Sequence, residues 1–304
     1  MKIHSRLLAV GLVIVCISTI AHAEVNLPKL SGTAVRSVVS REENPPDAFR
    51  YDYRVDNSVG TLPVVFMAID VGTDPSRVVA SIEGLDDTAG SQKPSSAMFR
   101  ASLGPEGLLG IALPVTPQWW VVSIGPDATA SWGVHDPARR VQPETFKEGF
   151  VMLSRALPGI RSVTLEGELW NALLQHDDED PEVLKEAIDD AALSVLTVGP
   201  VALPEGSTPG SLAVGIDSLR EQARTHDWIA TDAASASLAA LLSTLSAAIN
   251  DGRFSDAKGA ARDFLQLVES SSCTILDCSG KPLTSEAYAL MRFNMEYLLA
   301  QLPN

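Results

Sequence analysis

Basic residues are scarce in this sequence, where 23 Lys and Arg face 38 Asp and Glu, giving a formal charge of −15 at pH 7. Beyond the pair Arg139-Arg140 there is no cluster of basic residues. Nucleic acids and anionic membrane surfaces attract proteins mainly through such clusters. The sequence therefore predicts that neither of them is a partner.

Cysteine and histidine are also rare, with three and five residues in 304. Beyond the N-terminal segment lie His135, His176 and His226, and none has a second His at the spacing of metal ligands. The motifs H-E-x-x-H, G-x-S-x-G, G-x-G-x-x-G and the P-loop are absent. We therefore predict no metal and no cofactor, and the sequence singles out no catalytic residue.

Residues 1–23 have the pattern of an export signal. Lys2 and Arg6 give the positive start, residues 7–20 form the apolar run, and Ala21-His22-Ala23 is a small-residue cleavage site. The apolar run is too short to span a bilayer. Cleavage removes two basic residues and takes the charge from −15 to −17. We expect an exported protein, periplasmic or secreted, with no later stretch apolar enough to anchor it in a membrane.

Residues 30–203 have the pattern of β-strands. Apolar and aromatic residues alternate with charged ones over residues 49–56, which is typical of a strand with one wet face. Turn signals such as Gly72-Thr73-Asp74-Pro75 and Gly104-Pro105-Glu106-Gly107 recur between the runs. About seven to nine short strands predict an antiparallel β-sandwich. A parallel α/β sheet is disfavoured, because no helix-length pattern separates the strands.

A junction follows the strands. Asp180-Pro181-Glu182 is typical of a helix start and predicts a short helix over residues 181–191. Residues 193–203 have the pattern of one more strand of the sandwich. Residues 204–210, rich in Pro, Gly, Ser and Thr, are predicted to form a linker.

Residues 211–302 predict an antiparallel bundle of about four helices, because apolar residues recur there at steps of three and four. Thr231 or Asp232 is expected to cap the second helix, Ser255 or Asp256 the third, and Thr284 the fourth. The four apolar stripes are Leu212, Ile216, Leu219 and Ala223; Leu238, Leu241, Leu242, Leu245 and Ile249; Ala257, Ala261, Phe264, Leu265 and Val268; and Tyr288, Met291, Met295, Leu298 and Leu302.

Two cysteines remain after the signal is removed. Cys16 lies within the signal, and Val15 before it does not fit a lipoprotein. Cys273 and Cys278 lie four residues apart, and in an exported protein they predict a structural disulfide. The alternative is a metal or redox pair, which the absence of C-x-x-C spacing and of a nearby His disfavours.

The helical region resembles the FIMAH-type domain at the C-terminal end of many exported bacterial proteins. The resemblance rests on Trp228-Ile229, Asp251-Gly252-Arg253 and the run of residues 280–288, with an insert that carries both cysteines. The segment from Trp119 to residue 161 is similar to exported proteins that join an immunoglobulin-like or fibronectin-like sandwich to the same module. The resemblance implies this domain pair and no catalytic residues.

Three sets of residues are candidate sites. Trp119 and Trp120 are adjacent on a predicted strand, so one is expected in the core. The other is a candidate for stacking on a sugar or a partner, against the alternative that a loop covers it. His135 beside Asp136 offers part of a hydrolytic triad, although a plain turn role fits both. Carboxylates at loops and in residues 176–180 are candidates for calcium, against a simple solvated role. The loop carboxylates are Asp70, Asp74, Asp86 and Asp87.

The sequence thus favours a non-catalytic exported protein that acts as a recognition or structural module. Its expected partner is a protein or polysaccharide of the envelope or secretome. The alternative is a hydrolase with a site assembled on loops of the β-sandwich. Trp132, Trp170 and Trp228 are expected to be packing residues.

Overall fold

A computed structural model of the 304-residue chain describes residues 25–42, 47–70, 79–83, 100–102, 108–112, 120–124, 129–134, 136–176, 178–203, 206–276 and 280–303. The described strands are β1 (Ala34–Arg41), β2 (Phe49–Asp56), β3 (Val64–Asp70), β4 (Val79–Glu83), β5 (Arg100–Ser102), β6 (Leu108–Ala112), β7 (Trp120–Ile124), β8 (Thr129–Val134), β9 (Phe146–Ser154), β10 (Leu157–Gly167) and β11 (Leu193–Val201). The described α-helices are α1 (Trp170–Leu173), α2 (Pro181–Ala191), α3 (Pro209–Thr225), α4 (Asp232–Asn250), α5 (Phe254–Ser271) and α6 (Ser285–Gln301). The predicted order, antiparallel β-structure followed by helices, is confirmed.

The described strands form three antiparallel sheets. One has the order β1-β2-β9-β6, a second has the order β11-β10-β3-β8-β7, and β4 pairs with β5. Every strand pair in these sheets is antiparallel. This agrees with the prediction that disfavoured a parallel sheet.

An aromatic cluster joins the two larger sheets. Trp132 on β8 is fully buried, and its ring centroid lies 6.3 Å from that of Tyr53 and 6.0 Å from that of Phe150. Tyr53 and Phe150 belong to the four-stranded sheet, whereas Trp132 belongs to the five-stranded one. Tyr51 and Tyr53 share one face of β2, as the alternation of residues 49–56 predicted.

The junction has the predicted elements. The Asp180 carboxylate caps α2 by accepting a hydrogen bond of 2.8 Å from the Glu182 N–H. β11 then returns to pair with β10 at the edge of the five-stranded sheet. Next, α3 begins at Pro209 with Thr208 as its N-cap. The helix therefore starts two residues inside the segment that composition assigned to a linker, since Pro is well suited to the first helical position.

The helix caps are mostly as predicted. Thr231 caps α4 and Thr284 caps α6, each by accepting a hydrogen bond from a backbone N–H. The prediction of Ser255 or Asp256 as the cap of the third long helix is wrong. That helix, α5, begins at Phe254 after Arg253, with no side-chain cap. The connection from α4 is so short that the Arg253 N–H bonds back to the Ala248 carbonyl.

Helix α4 is more apolar than was expected of any segment after the signal. It has 19 residues, and 18 consecutive residues of it have a mean hydropathy of 1.4, so by length and composition it is apolar enough to cross a membrane. The expectation that no stretch beyond the signal reaches this level is wrong, because α4 is rich in Ala and Leu and its one charged residue is Asp232. In the fold, Leu238, Leu242 and Leu245 of α4 are buried, and the helix packs between α3 and α5.

Helix α6 is the centre of the helical region and also its contact with the sheets. It packs on α3 and α5 on one side and on β1, β10 and β11 on the other. Residues off its predicted stripe are therefore buried as well, among them Leu290, Phe293 and Asn294. Leu283 and Tyr288, which stand before and after the Thr284 cap at the positions of a hydrophobic staple, are both buried.

Candidate functional site

The binding role suggested for Trp119 and Trp120 stays a prediction. Trp119 lies outside the described residues. Trp120 is described by its backbone, which pairs with Val134 at the edge of the five-stranded sheet. Of the remaining tryptophans, Trp132 is in the core as expected and Trp228 is partly buried against the helical core. The expectation for Trp170 is wrong, because 65% of this residue is exposed on the short helix α1.

Among the predicted triad and calcium residues, Asp136 and Asp70 have protein partners in the structure. His135 lies outside the described residues, and the Asp136 carboxylate caps a short 3-10 helix by accepting from the Ala138 N–H at 2.9 Å. Asp70 lies 3.8 Å from Arg161 in an ion pair. Within the described residues, no three His, Cys, Asp or Glu are grouped so that they could hold a metal ion. The remaining loop candidates, Asp74, Asp86, Asp87 and residue 177 of the acidic run, lie outside the described residues.

Cys273 is buried and takes part in a disulfide. Cys278 lies outside the described residues, so the pairing of Cys273 with Cys278 stays a prediction. The backbone around Cys273 is fixed independently, because its N–H donates to the Leu283 carbonyl at 3.0 Å.

A groove lies where the five-stranded sheet meets α3 and α6, and it has a volume of 580 Å³. We call it the seam groove. Ligand pockets usually measure about 300–1,000 Å³ and are often found between structural units. Its walls are apolar side chains from both sides, namely Leu157, Ile160, Leu203, Leu212, Ile216 and Leu219. The seam groove therefore has the size and the character of a binding site.

One row of residues along α3 lines the seam groove. Ser211, Gly215, Ser218 and Gln222 line it, and they follow one another at steps of three and four along the helix. A Cβ atom added to Gly215 would have no heavy atom within 4 Å, so the groove is open above this residue. At 1.5 Å per residue, the row from Ser211 to Gln222 is about 16 Å long. The groove is thus elongated.

Asn294 is the polar group from α6 in the seam groove, and only 9% of it is exposed. Its Nδ2 donates hydrogen bonds to the Pro158 carbonyl at 2.8 Å and to the Leu290 carbonyl at 2.9 Å. Both neighbours are acceptors, so the amide orientation is determined. The Asn294 Oδ1 accepts no hydrogen bond among the described residues, which leaves it available to a donor on a ligand.

The walls of the seam groove are held together by buried contacts between α6 and β-structure. Glu286 is 4% exposed and accepts a hydrogen bond of 2.9 Å from the Ser37 N–H. The Phe293 ring lies 5.1 Å from the Phe49 ring, centroid to centroid. Because α6 packs on both α3 and β10, it holds α3 beside β10 and forms the groove in advance of any ligand.

The described lining of the seam groove contains no titratable side chain. Its polar groups are hydroxyls, amides and backbone. Proton transfer in catalysis needs a group with an accessible pKa, and a Ser nucleophile needs a base beside it. The described part of the groove can therefore bind a ligand but offers no acid or base to transform one. Neither protein-family models nor curated protein sequences match this chain.

Sequence reasoning missed the seam groove, although two of its residues carried a signal. Gly215 interrupts an otherwise continuous helical pattern, and an isolated Gly inside a helix is unfavourable without a local reason. Asn294 is a polar residue between Phe293 and Met295 in the last helix. Neither signal identified the partner surface, because β10 is 136 residues away from Asn294 in the chain.

Proposed function

We propose that this chain is a non-catalytic binding protein that takes an elongated, uncharged amphiphile with an aliphatic chain in the seam groove. The observation that carries the proposal is the lining, which combines apolar side chains on both walls with uncharged polar groups and has no titratable side chain among the described residues. A charged ligand would lose its hydration there without gaining an ion pair. A polysaccharide, with many hydroxyl groups, would leave most of them unpaired.

The polar residues set the expected orientation of the ligand. The Asn294 Oδ1 accepts no hydrogen bond among the described residues and lies in a lining that also has the polar side chains of Ser211 and Ser218, so it suits one hydroxyl or N–H group of the ligand. The length of about 16 Å along α3 suits an aliphatic chain rather than a compact ring. Each buried methylene group adds about 0.8 kcal/mol of binding free energy.

For the β-rich part, we propose an immunoglobulin-like β-sandwich over residues 30–203. The contacts of Trp132 with Tyr53 and Phe150 support it, because they bring side chains of the four- and five-stranded sheets into one buried cluster. For residues 211–302 we propose an antiparallel, FIMAH-like bundle. The support is that α3 and α5 each pack on both α4 and α6.

We also propose that the protein is exported after cleavage behind Ala23. The support is the pattern of residues 1–23 together with the disulfide at Cys273, because disulfides persist in oxidising compartments. N-terminal sequencing of the protein recovered from the envelope or medium tests this. A mature chain that starts at Glu24 is expected, and a chain that retains Met1 would refute export by this signal.

The binding proposal is tested by titrating the protein with straight-chain alkan-1-ols of increasing length in a calorimeter. The variant Gly215→Leu fills the open space of the groove. The matched control is Gly259→Leu, because a Cβ on Gly259 also meets no heavy atom within 4 Å and Gly259 is not part of the groove. Both substitutions replace a helical Gly, so neither is expected to destabilise its helix.

The affinity is expected to rise about fourfold per added methylene until the groove is full. Gly215→Leu is expected to abolish binding, while Gly259→Leu binds as the natural protein does. An affinity that does not depend on chain length, or equal binding by both variants, would refute the proposal. Turnover of the corresponding alkyl esters would instead support the hydrolase alternative, for which the described lining supplies no base.

A further inference from the structure

A second groove, of 480 Å³, lies between the end of β10 and the helices α1 and α2, away from the seam groove. We call it the Trp170 groove. Its lining includes Trp170, Glu166 and Arg140 beside the apolar side chains of Leu169, Leu173 and Ile188. The apolar residues belong to a small core that α1 and α2 share with the extended segment at residues 25–30. The groove therefore combines an aromatic ring, charges and an aliphatic wall.

The described lining of the Trp170 groove has two acidic side chains and one basic side chain. Arg140 is bound by the Glu168 carboxylate, and Glu168 also accepts a hydrogen bond of 2.7 Å from the Trp170 N–H. Glu166 is half-buried and has neither an ion pair nor a side-chain hydrogen bond among the described residues. The only base in the described lining is thus neutralised by one carboxylate, while the second remains unpaired.

The surroundings of Glu166 are unfavourable for its negative charge. Burial raises the pKa of the Glu166 carboxyl above its ordinary value, and the like charge of Asp189 on α2 raises it further. A cation placed against Glu166 relieves both effects, because it replaces the lost hydration and offsets Asp189. An uncharged ligand with a donor group replaces part of the lost hydration but does not offset Asp189.

The Trp170 ring provides the second half of a cation site. It is 65% exposed, and it makes no ring contact with another aromatic residue in the described part of the chain. The face of an indole ring attracts a cation more strongly than the face of Tyr or Phe. An exposed Trp and an unpaired carboxylate that line the same groove therefore match a positive group at the end of an aliphatic stem.

We propose that the Trp170 groove binds the basic side chain of a Lys in an extended segment of a partner protein. The ammonium group pairs with Glu166 and lies against the face of Trp170. The methylene stem packs along Leu169, Leu173 and Ile188, as Lys stems do on apolar surfaces. This site is independent of the seam groove and of the ligand proposed there.

The test uses the full mature chain and a short peptide that has one central Lys between uncharged residues. The comparison peptide is identical except that the Lys is acetylated, which removes the charge and keeps the stem. Binding is followed by calorimetry and by the NMR signal of the Trp170 indole N–H. The site variants are Glu166→Gln and Trp170→Ala. The controls are Glu186→Gln, an exposed acid on α2 outside the groove, and Leu174→Ala, an exposed apolar residue beside it.

The Lys peptide is expected to bind, and acetylation, Glu166→Gln or Trp170→Ala is each expected to weaken it roughly three- to thirtyfold. The two control variants are expected to bind as the natural protein does. Equal binding of the two peptides would overturn the proposal, as would equal losses in Glu166→Gln and Glu186→Gln. A neutral oligosaccharide that shifts the Trp170 signal while the Lys peptide does not would also overturn it and identify a sugar site.

Discussion

The carboxylate of Glu286, at the start of α6, accepts a hydrogen bond of 2.9 Å from the backbone N–H of Ser37 on β1. The two residues are 249 positions apart in the chain, and Glu286 is buried. The Ser285 hydroxyl donates to the other carboxylate oxygen at 3.2 Å. A buried carboxylate with two donors fixes the last helix to the first strand, so the ends of the described chain are joined.

Replacing Glu286 by Ala is expected to destabilise the protein. The substitution leaves the Ser37 N–H buried without a partner, which costs about 1–3 kcal/mol. Glu286→Gln keeps an acceptor and is expected to cost less. Chemical denaturation measures the difference, with Glu186→Ala as the control because Glu186 is exposed. Equal stability of the natural protein and Glu286→Ala would show that this bond contributes nothing.

The sheets and the helices are expected to unfold in one transition. Asn294, Phe293 and Glu286 all contact β-structure while α6 packs on α3 and α5, so the helical region cannot lose α6 without exposing both cores. Far-ultraviolet circular dichroism follows the helices, and tryptophan fluorescence follows the burial of Trp132. Coincident curves are expected. Two separated transitions would mean that the two regions are stable independently.

Local patterns in the sequence were sufficient to predict most elements of the fold. They were not sufficient to predict which elements pack against one another. The Asp180-Pro181 start of α2 and the Thr231 and Thr284 caps depend on residues within one turn, and all are present as predicted. The apolar stripe predicted for α6 is also buried, but it covers only one face of the helix. The second buried face, with Leu290 and Phe293, exists because β1, β10 and β11 cover it, and no helical period contains that information.

The candidate grooves were not predictable for the same reason. The seam groove needs the distance between β10 and α3, which is set by the packing of α6 between them. Trp170 was expected to pack because most tryptophans do. It is exposed because α1 is a single turn whose apolar contacts are made by Leu169 and Leu173. Among the described residues, the Glu166 carboxylate has no ion-pair partner, because the Arg140 guanidinium pairs with Glu168. The order of residues in the sequence does not reveal this pairing.

Removing the disulfide is expected to cost a modest amount of stability. In the chain-entropy model, closing the short loop from Cys273 to Cys278 contributes about 2 kcal/mol. The double variant Cys273→Ser, Cys278→Ser is expected to lose that amount in chemical denaturation, and the same loss is expected when the natural protein is reduced. A thiol assay on the unfolded, unreduced protein checks the pairing, with no free thiol expected in the mature chain. Two free thiols would contradict the predicted bond.

The raised pKa of Glu166 predicts that the contribution of this residue to stability becomes less favourable as the pH rises. Burial and then the charge of Asp189 raise the pKa of its carboxyl in the folded state above the ordinary value of about 4.3. The folded chain therefore holds this proton more tightly than the unfolded chain, and ionised Glu166 destabilises the fold. The penalty is fully present above the folded-state pKa, shrinks as the pH falls through it, and is absent below the unfolded-state pKa.

Glu166→Gln is accordingly expected to be more stable than the natural protein at pH 7, and this gain is expected to vanish toward pH 4. The measurement is the difference in the free energy of unfolding between the two proteins across that range. Glu186→Gln removes the same charge from an exposed position and corrects for the change in net charge. A gain for Glu166→Gln that stays constant with pH, or that Glu186→Gln reproduces, would mean that Glu166 is not held in an unfavourable site. The Lys peptide is expected to lower the pKa of Glu166, because its ammonium group stabilises the ionised carboxylate.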